Sequence, residues 1–331
     1  MNSCPQNCFA DPAVISLQAQ ATARQLKARA PGTQRNHQVG ARTYLAFMWW
    51  VRQPPHSPHH TVVCTFLEYL CSHIKAPATI RNYLSQARVH VALVTGDRYP
   101  LTHMRISRAM EAINRNKKYV PKVKESVPMD VLKPIVIRLQ GSALNNVIRA
   151  ALLVQYYAAL RPGEVTPPTK KKFLGTYHLT RGDIVFKGRE VQITIKSGKT
   201  LQKTGETRII TLSPAESQEI CVVAAVRQMC MDTPTLMATD PLFMFTDRQP
   251  VPTSEVRKHW KKGLLDLGLS AEAYTLHGLR IAAATQAYRA GATELDVQRY
   301  GGWKSDSHRT YIRSEKNDSV NRKLIRALQT T

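Results

Sequence analysis

The sequence predicts two domains, a small N-terminal all-α helical bundle and a larger α+β, mostly helical domain with a small antiparallel sheet. Three observations predict this division. The chain has 331 residues, enough for two separate cores at roughly 100 to 200 residues per domain. A stretch holding two prolines and three lysines, 118–129, interrupts the helical pattern and reads as a linker. Three short β-rich runs occur only after that stretch, between apolar helical segments.

Taken in order, residues 1–32 form an Ala- and Gln-rich tail with scattered apolar positions. The bundle, 33–117, begins at Thr33, where Tyr44, Leu45, Phe47, Met48 and Val51 make an apolar stripe at helical spacing. Val62, Val63, Phe66, Leu67 and Leu70 make a second stripe. Ala78 to Ser85 opens a third helix, and Thr102 to Lys118 reads as a fourth. In the second domain, 130–331, Val131–Leu139 and Asn145–Leu160 are apolar helices. Asp183–Phe186, Val191–Ile195 and Arg208–Leu212 are the strands. Helical patterns then return, with Gly291 placed to end one helix and Thr293 to cap the next.

Charge narrows the partner. The 47 Lys and Arg against 23 Asp and Glu leave +24, a balance that points to a polyanion, most simply nucleic acid, with an ordinary basic protein or a ribosomal or membrane-surface binder as the alternatives. On the bundle, Arg35, Arg42, Arg81, Arg88, Arg105, Arg108, Arg115, Lys117 and Lys118 lie on polar faces and are placed to track phosphates; a merely solvated face is the alternative. No apolar stretch approaches the ~20 residues a membrane span needs, and the N-terminus lacks the layout of a secretory signal. The six cysteines show no C-x-x-C spacing and read as reduced thiols. His56, His59 and His60 lie in a Pro-rich run without a Cys or carboxylate beside them, so a solvated loop is expected and no metal.

The chemistry concentrates late in the chain. Tyr274-Thr275-Leu276-His277-Gly278-Leu279-Arg280 puts His277 and Arg280 on one helix face. Gly301-Gly302-Trp303-Lys304-Ser305-Asp306 follows, then Thr310-Tyr311-Ile312-Arg313. Far upstream, Arg161-Pro162-Gly163-Glu164 sits where an apolar helix runs into a turn. Two planar guanidiniums match the non-bridging oxygens of a phosphodiester gaining charge in its transition state, and a tyrosine can attack the phosphorus and stay tethered to it. Of the twelve tyrosines, Tyr288 and Tyr300 fall on apolar helical positions and read as core. Tyr311 follows a polar run with no apolar periodicity to bury it.

This ordered set resembles the tyrosine recombinases, the phage-integrase family. Arg161, backed by Glu164, resembles the family's first arginine motif. His277 and Arg280 match its H-x-x-R; Trp303 stands where some members have Trp in place of a second His; Tyr311 matches the nucleophile. The family also keeps a lysine on a β-hairpin, and Lys199-Thr200 lines up with it better than Lys196. Within the family, the text from Arg161 to Thr166, Phe173, His178–Ile184 and the Lys199 turn is most similar to recombinases of eukaryotic mobile elements, the DIRS, Ngaro and Crypton groups; the nucleus is then the expected compartment, and otherwise the cytoplasm. The likeness covers roughly residues 33–315. Ile281-Ala282 departs from it, since smaller or more basic residues are common there.

The resemblance implies a clamp of both domains around duplex DNA and a 3′-phosphotyrosyl intermediate. Lys199 would protonate the departing 5′ oxygen. His277 would move the tyrosine proton or hydrogen-bond the phosphate, and Trp303 would donate its indole N–H or pack beneath the nucleophile. Neither a metal nor a cofactor is implied, nor a small-molecule substrate. Two alternatives stay open, a DNA-binding protein descended from a recombinase and a topoisomerase that relaxes single duplexes. Val320, Leu324, Ile325 and Leu328 recur at helical spacing after Tyr311; such a helix either folds back on its own domain or docks on a neighbouring subunit, and the resemblance favours docking, in a homo-tetramer on DNA.

Overall fold

The computed structural model describes residues 31–56, 58–97, 101–120, 125–196, 207–303 and 305–309, with a few isolated positions between 12 and 24. The chain separates into two compact units, 1–121 and 122–331. The fold is mostly helical with one three-stranded antiparallel sheet, as the sequence predicts.

The first unit holds α1 (Pro31–Trp50), α2 (His60–His73), α3 (Pro77–Thr95) and α4 (Met104–Asn116). Each buries its expected stripe. Tyr44, Phe47 and Met48 of α1 meet Val63, Phe66, Leu67 and Leu70 of α2, Ile80, Leu84 and Val91 of α3, and Ile106, Met110 and Ile113 of α4. Tyr44 brings a polar hydroxyl into this core, and the Pro55 carbonyl accepts from it at 2.8 Å.

Two of the basic residues expected on phosphates are used internally instead. Arg88 is half-buried and donates Nε and Nη2 to the Leu101 carbonyl at 3.2 and 2.9 Å. Lys117 donates Nζ to the carbonyls of Cys71 and Ile74, where α2 ends and leaves acceptors without helical partners. Reach to an unsatisfied carbonyl decides both cases.

The His-rich run also differs from a solvated loop. The His59 side chain accepts from the Thr61 N–H and caps α2, and His60 stacks on His103 with ring centroids 3.9 Å apart. With His56 they line a cavity of about 540 Å³. Burial, then His103, His59 and Arg105, push the His60 pKa down. Among the described residues, no three His, Cys, Asp or Glu side chains are disposed to hold a metal ion.

The second unit is built on α6 (Ala143–Tyr157), buried on nearly every side from Val147 to Tyr156. Around it lie α5 (Met129–Arg138), the short α7 (Pro162–Val165), α8 (Val222–Asp232), α9 (Thr253–Asp266), α10 (Leu276–Arg289) and α11 (Glu294–Gly301). The strands β1 (Ile184–Lys187), β2 (Glu190–Ile195) and β3 (Arg208–Leu212) pair in that order. Ile193 opposes Ile184 on one side and Ile210 on the other. Val191, Ile193, Ile195, Ile210 and Leu212 turn one face of the sheet into the core.

Glu125 and Val127 lie in the segment expected as linker, yet both are tied to the second unit. Their N–H groups donate to the Ala273 and Gly278 carbonyls at 3.1 and 3.2 Å, and Val127 is fully buried. Gly291 follows α10 with φ of 96°, and Thr293 caps α11 through a reciprocal box with Asp296. Cys64, Cys71, Cys221 and Cys230 are free thiols. No helix among the described residues is long and apolar enough to cross a membrane.

Candidate active site

Arg161 is placed by the way α6 stops. Ala159 takes a left-handed conformation with φ of 48°, Leu160 is buried, and Arg161 becomes the N-cap of α7 with Pro162 at the first helical position. Glu164, three residues on, reaches back. Its Oε2 accepts from the Arg161 backbone N–H at 2.8 Å, and its Oε1 accepts from Arg161 Nη1 at 2.7 Å. The carboxylate is buried while the Arg161 side chain keeps 29% of its surface in solvent, so the guanidinium is aimed yet reachable.

Arg280 approaches the same carboxylate from α10. Its side chain has no exposed surface, and its Nη1 lies 3.7 Å from Glu164 Oε2. Nη1 donates to the Ala159 carbonyl and Nη2 to the Gly301 carbonyl, the latter at 2.8 Å. Its Cζ sits 4.1 Å over the Trp303 ring, a cation–π contact made stronger by desolvation. A wholly buried guanidinium is tolerable only with such partners. Two arginines that stand 119 positions apart in the sequence thus converge on one carboxylate.

His277 is half-buried in the first turn of α10. Buried Gln155 fixes that turn, donating Nε2 to the Leu276 carbonyl at 2.5 Å. Gly278 lets residues 125–127 pass close by, since a Cβ there would stand 2.6 Å from the Glu125 carbonyl oxygen. Trp303 is buried against Ala284 and Val297 as well as Arg280. Trp303 thus packs beneath the second arginine, while the nucleophile it is expected to pack beneath lies outside the described residues. Tyr300 donates its hydroxyl to the Tyr157 carbonyl, and burial, with Tyr156 adding to it, pushes its pKa up to about 12. That is a packed tyrosine with a satisfied hydroxyl.

Lys196 is occupied. Its Nζ lies 2.6 Å from Asp183 Oδ2 and donates to the Gly175 carbonyl at 2.5 Å. Lys199 and Tyr311 lie outside the described residues, as does the expected tail helix from Val320 to Leu328. Arg35, Arg42, Arg81, Arg105, Arg108, Arg115 and Lys118 are exposed on the first unit.

Sequence reading missed two features. On α9, Arg257, Lys258, Lys261 and Lys262 are all exposed; their i, i+4 spacing was the available signal. The other is Arg208 at the start of β3, which donates Nη1 to the Tyr300 carbonyl. Burial pushes its pKa down, while Glu164 and Tyr300 pull it up and Arg161 presses it down again. Nothing local in the sequence marks it.

Comparison with known proteins identifies the family and the fold. A profile described as the phage integrase family matches residues 127–318. The structure of XerH site-specific recombinase bound to difH substrate in a pre-cleavage complex is similar with a TM-score of 0.59 at 15% identity, covering 87% of this chain and 79% of that one. A lambda integrase tetramer bound to a Holliday junction gives 0.56 at 16%, covering 92% and 83%. The Tn1549 transposon integrase in complex with circular intermediate DNA gives 0.50 at 14%, covering 92% and 91%. No curated protein sequence matches.

Proposed function

The chain belongs to the phage integrase family, and from that premise we propose that it is a site-specific DNA recombinase of a mobile element, cutting and rejoining duplexes through a 3′-phosphotyrosyl intermediate. The convergence of Arg161 and Arg280 on buried Glu164 carries the reading. It supplies fixed, permanent positive charge where a pentavalent phosphorane gains negative charge.

In this scheme the Tyr311 hydroxyl oxygen attacks the phosphorus, the P–O5′ bond breaks, and Lys199 gives its proton to the departing 5′ oxygen. His277 moves the tyrosine proton or hydrogen-bonds the phosphate. A 5′ hydroxyl from a partner strand then reverses the steps, displacing Tyr311 and restoring a phosphodiester. The bond energy is stored in the protein–DNA ester, and the arginines carry the neutralising charge without a metal or nucleotide cofactor. Four subunits act together on two DNA sites, as the lambda integrase tetramer on a Holliday junction supports by analogy. The tail after Tyr311 links each subunit to its neighbour. The exposed arginines and lysines of both units bind the backbone. The Arg161–Thr166 and Gly301–Asp306 motifs favour a DIRS, Ngaro or Crypton type element and hence a nuclear site of action.

The test is a nicked suicide substrate built from the sequence flanking the coding region. Wild type is expected to form a covalent adduct, and Tyr311→Phe to form none while binding duplex nearly as well. Binding without any wild-type adduct would instead identify a DNA-binding protein that no longer cuts. Relaxation of a supercoiled circle lacking paired sites would identify a topoisomerase.

A further inference from the structure

Arg208 has no part in the steps above, yet it stands at the site. Its Nη1 donates to the Tyr300 carbonyl at the end of α11. A Cβ placed on Gly302 would stand 3.1 Å from that nitrogen and 3.3 Å from Cζ, so the guanidinium rests against the glycine. The neighbouring carbonyl, Gly301, accepts from Arg280 at 2.8 Å. Two arginines from distant parts of the chain therefore cover consecutive acceptors at one helix end, where orphan carbonyls and the helix dipole favour cations.

That contact uses one of the five N–H donors a guanidinium carries. Arg280 is sealed in, with both Nη atoms donated to protein carbonyls. Arg208 and Arg161 are only half-buried, and the field of Arg161 and Glu164 reaches Arg208. Among the described residues the local charge does not balance. Among them, three permanent cations, Arg161, Arg208 and Arg280, have Glu164 as the carboxylate whose field reaches all three, an excess of two positive charges (three minus one) in a partly desolvated place. Such an excess is tolerated when an anion completes it.

We propose that Arg208 is a third guanidinium of the phosphate site, donating from its outer edge to a non-bridging oxygen of the scissile phosphodiester beside Arg161. The assignment rests on the recombinase reading. It makes Arg208 a catalytic residue, because it touches the reacting group, and the Tyr300 contact holds it in place for that purpose.

The test compares an ordinary scissile phosphate with a methylphosphonate, whose phosphorus bears a neutral methyl group in place of one charged oxygen. A residue that neutralises that oxygen matters on the first substrate and little on the second. Arg208→Ala should form the tyrosyl adduct ~10²-fold more slowly on the phosphate, the scale for removing one such donor. On the methylphosphonate it should stay within about threefold of wild type. Arg208→Lys, which keeps a cation able to reach the Tyr300 carbonyl, should fall between and show the same recovery; it decides the matter if the alanine variant fails to fold. Equal loss on both substrates, or no loss on the phosphate, overturns the proposal. If wild type forms adducts while Arg208→Ala loses equally on both, the recombinase reading stands and only Arg208 is removed from it. If wild type forms none, the recombinase reading fails first and Arg208 falls with it.

Discussion

Removing Glu164 should damage the second unit more than any exposed charge change. Its carboxylate holds the Arg161 N–H at 2.8 Å and the Arg161 guanidinium at 2.7 Å, and it faces Arg280 Nη1 at 3.7 Å. The Arg161 ion pair is partly wet, and solvent screens it to a small net value. Arg280 has no exposed surface, so loss of its countercharge sets the cost, about 3–5 kcal/mol for breaking a buried pair from one side. Glu164→Ala also loses the cap on α7, worth about 1 kcal/mol. Glu164→Gln keeps an oxygen for that cap and should be the milder variant by that amount. Urea unfolding followed by tryptophan emission separates the units, because Trp260 and Trp303 are buried in the second and Trp49 and Trp50 are exposed on the first. The midpoint of the buried-tryptophan transition should fall by about 1–5 M urea, at a slope of about 1–3 kcal/mol per molar. Adduct formation should fall with it in the surviving folded fraction, since Arg161 is no longer aimed. If both variants unfold within about 0.5 kcal/mol of wild type, which is what surface charge changes cost, the carboxylate is not what holds Arg280 and the reasoning fails.

Tyr300→Phe should retain adduct formation, because the Tyr300 hydroxyl is committed to the Tyr157 carbonyl and its pKa is pushed up to about 12. Stability of the second unit should drop by about 1 kcal/mol as that carbonyl loses its donor; disappearance of the adduct would make Tyr300 the nucleophile. The first unit should weaken in mild acid. His60 has its pKa held below the ordinary 6.5 by burial first and then by His103, His59 and Arg105. The unfolded chain therefore takes up the proton more readily, and the stability present above about pH 6.5 is lost as pH falls below it. Melting of the first unit at pH 7.5 and 5.5 should show a smaller drop for His60→Gln than for wild type, and parallel curves would remove the histidine cluster from the explanation.

What could be read from the sequence is what depends on near neighbours. The Arg161–Glu164 contact spans three residues, so its pattern lies in one short string. Gly291 and Thr293 mark a helix end and a helix start by rules that involve a single turn. The strands show their period of two in Val191, Ile193 and Ile195. Lys117 and Lys118 show the limit. As adjacent lysines they are equivalent in sequence, yet one closes the end of α2 through Cys71 and Ile74 while the other stays exposed.

The same limit explains Arg208. A lone arginine opening a strand is ordinary, and its meaning comes from a carbonyl 92 residues away. Periodicity sorts side chains into inward and outward faces, but it cannot say which outward cation will find an unpaired acceptor as distant elements close together. A cation that finds one becomes structure, as Arg88 does at Leu101. A cation left with donors to spare in a desolvated, charge-imbalanced place becomes a ligand site. Arg208 meets both conditions at once, one N–H on Tyr300 and the rest of the guanidinium half-open beside Arg161 and Glu164, and that combination sets it apart from the basic residues that merely cover the surface.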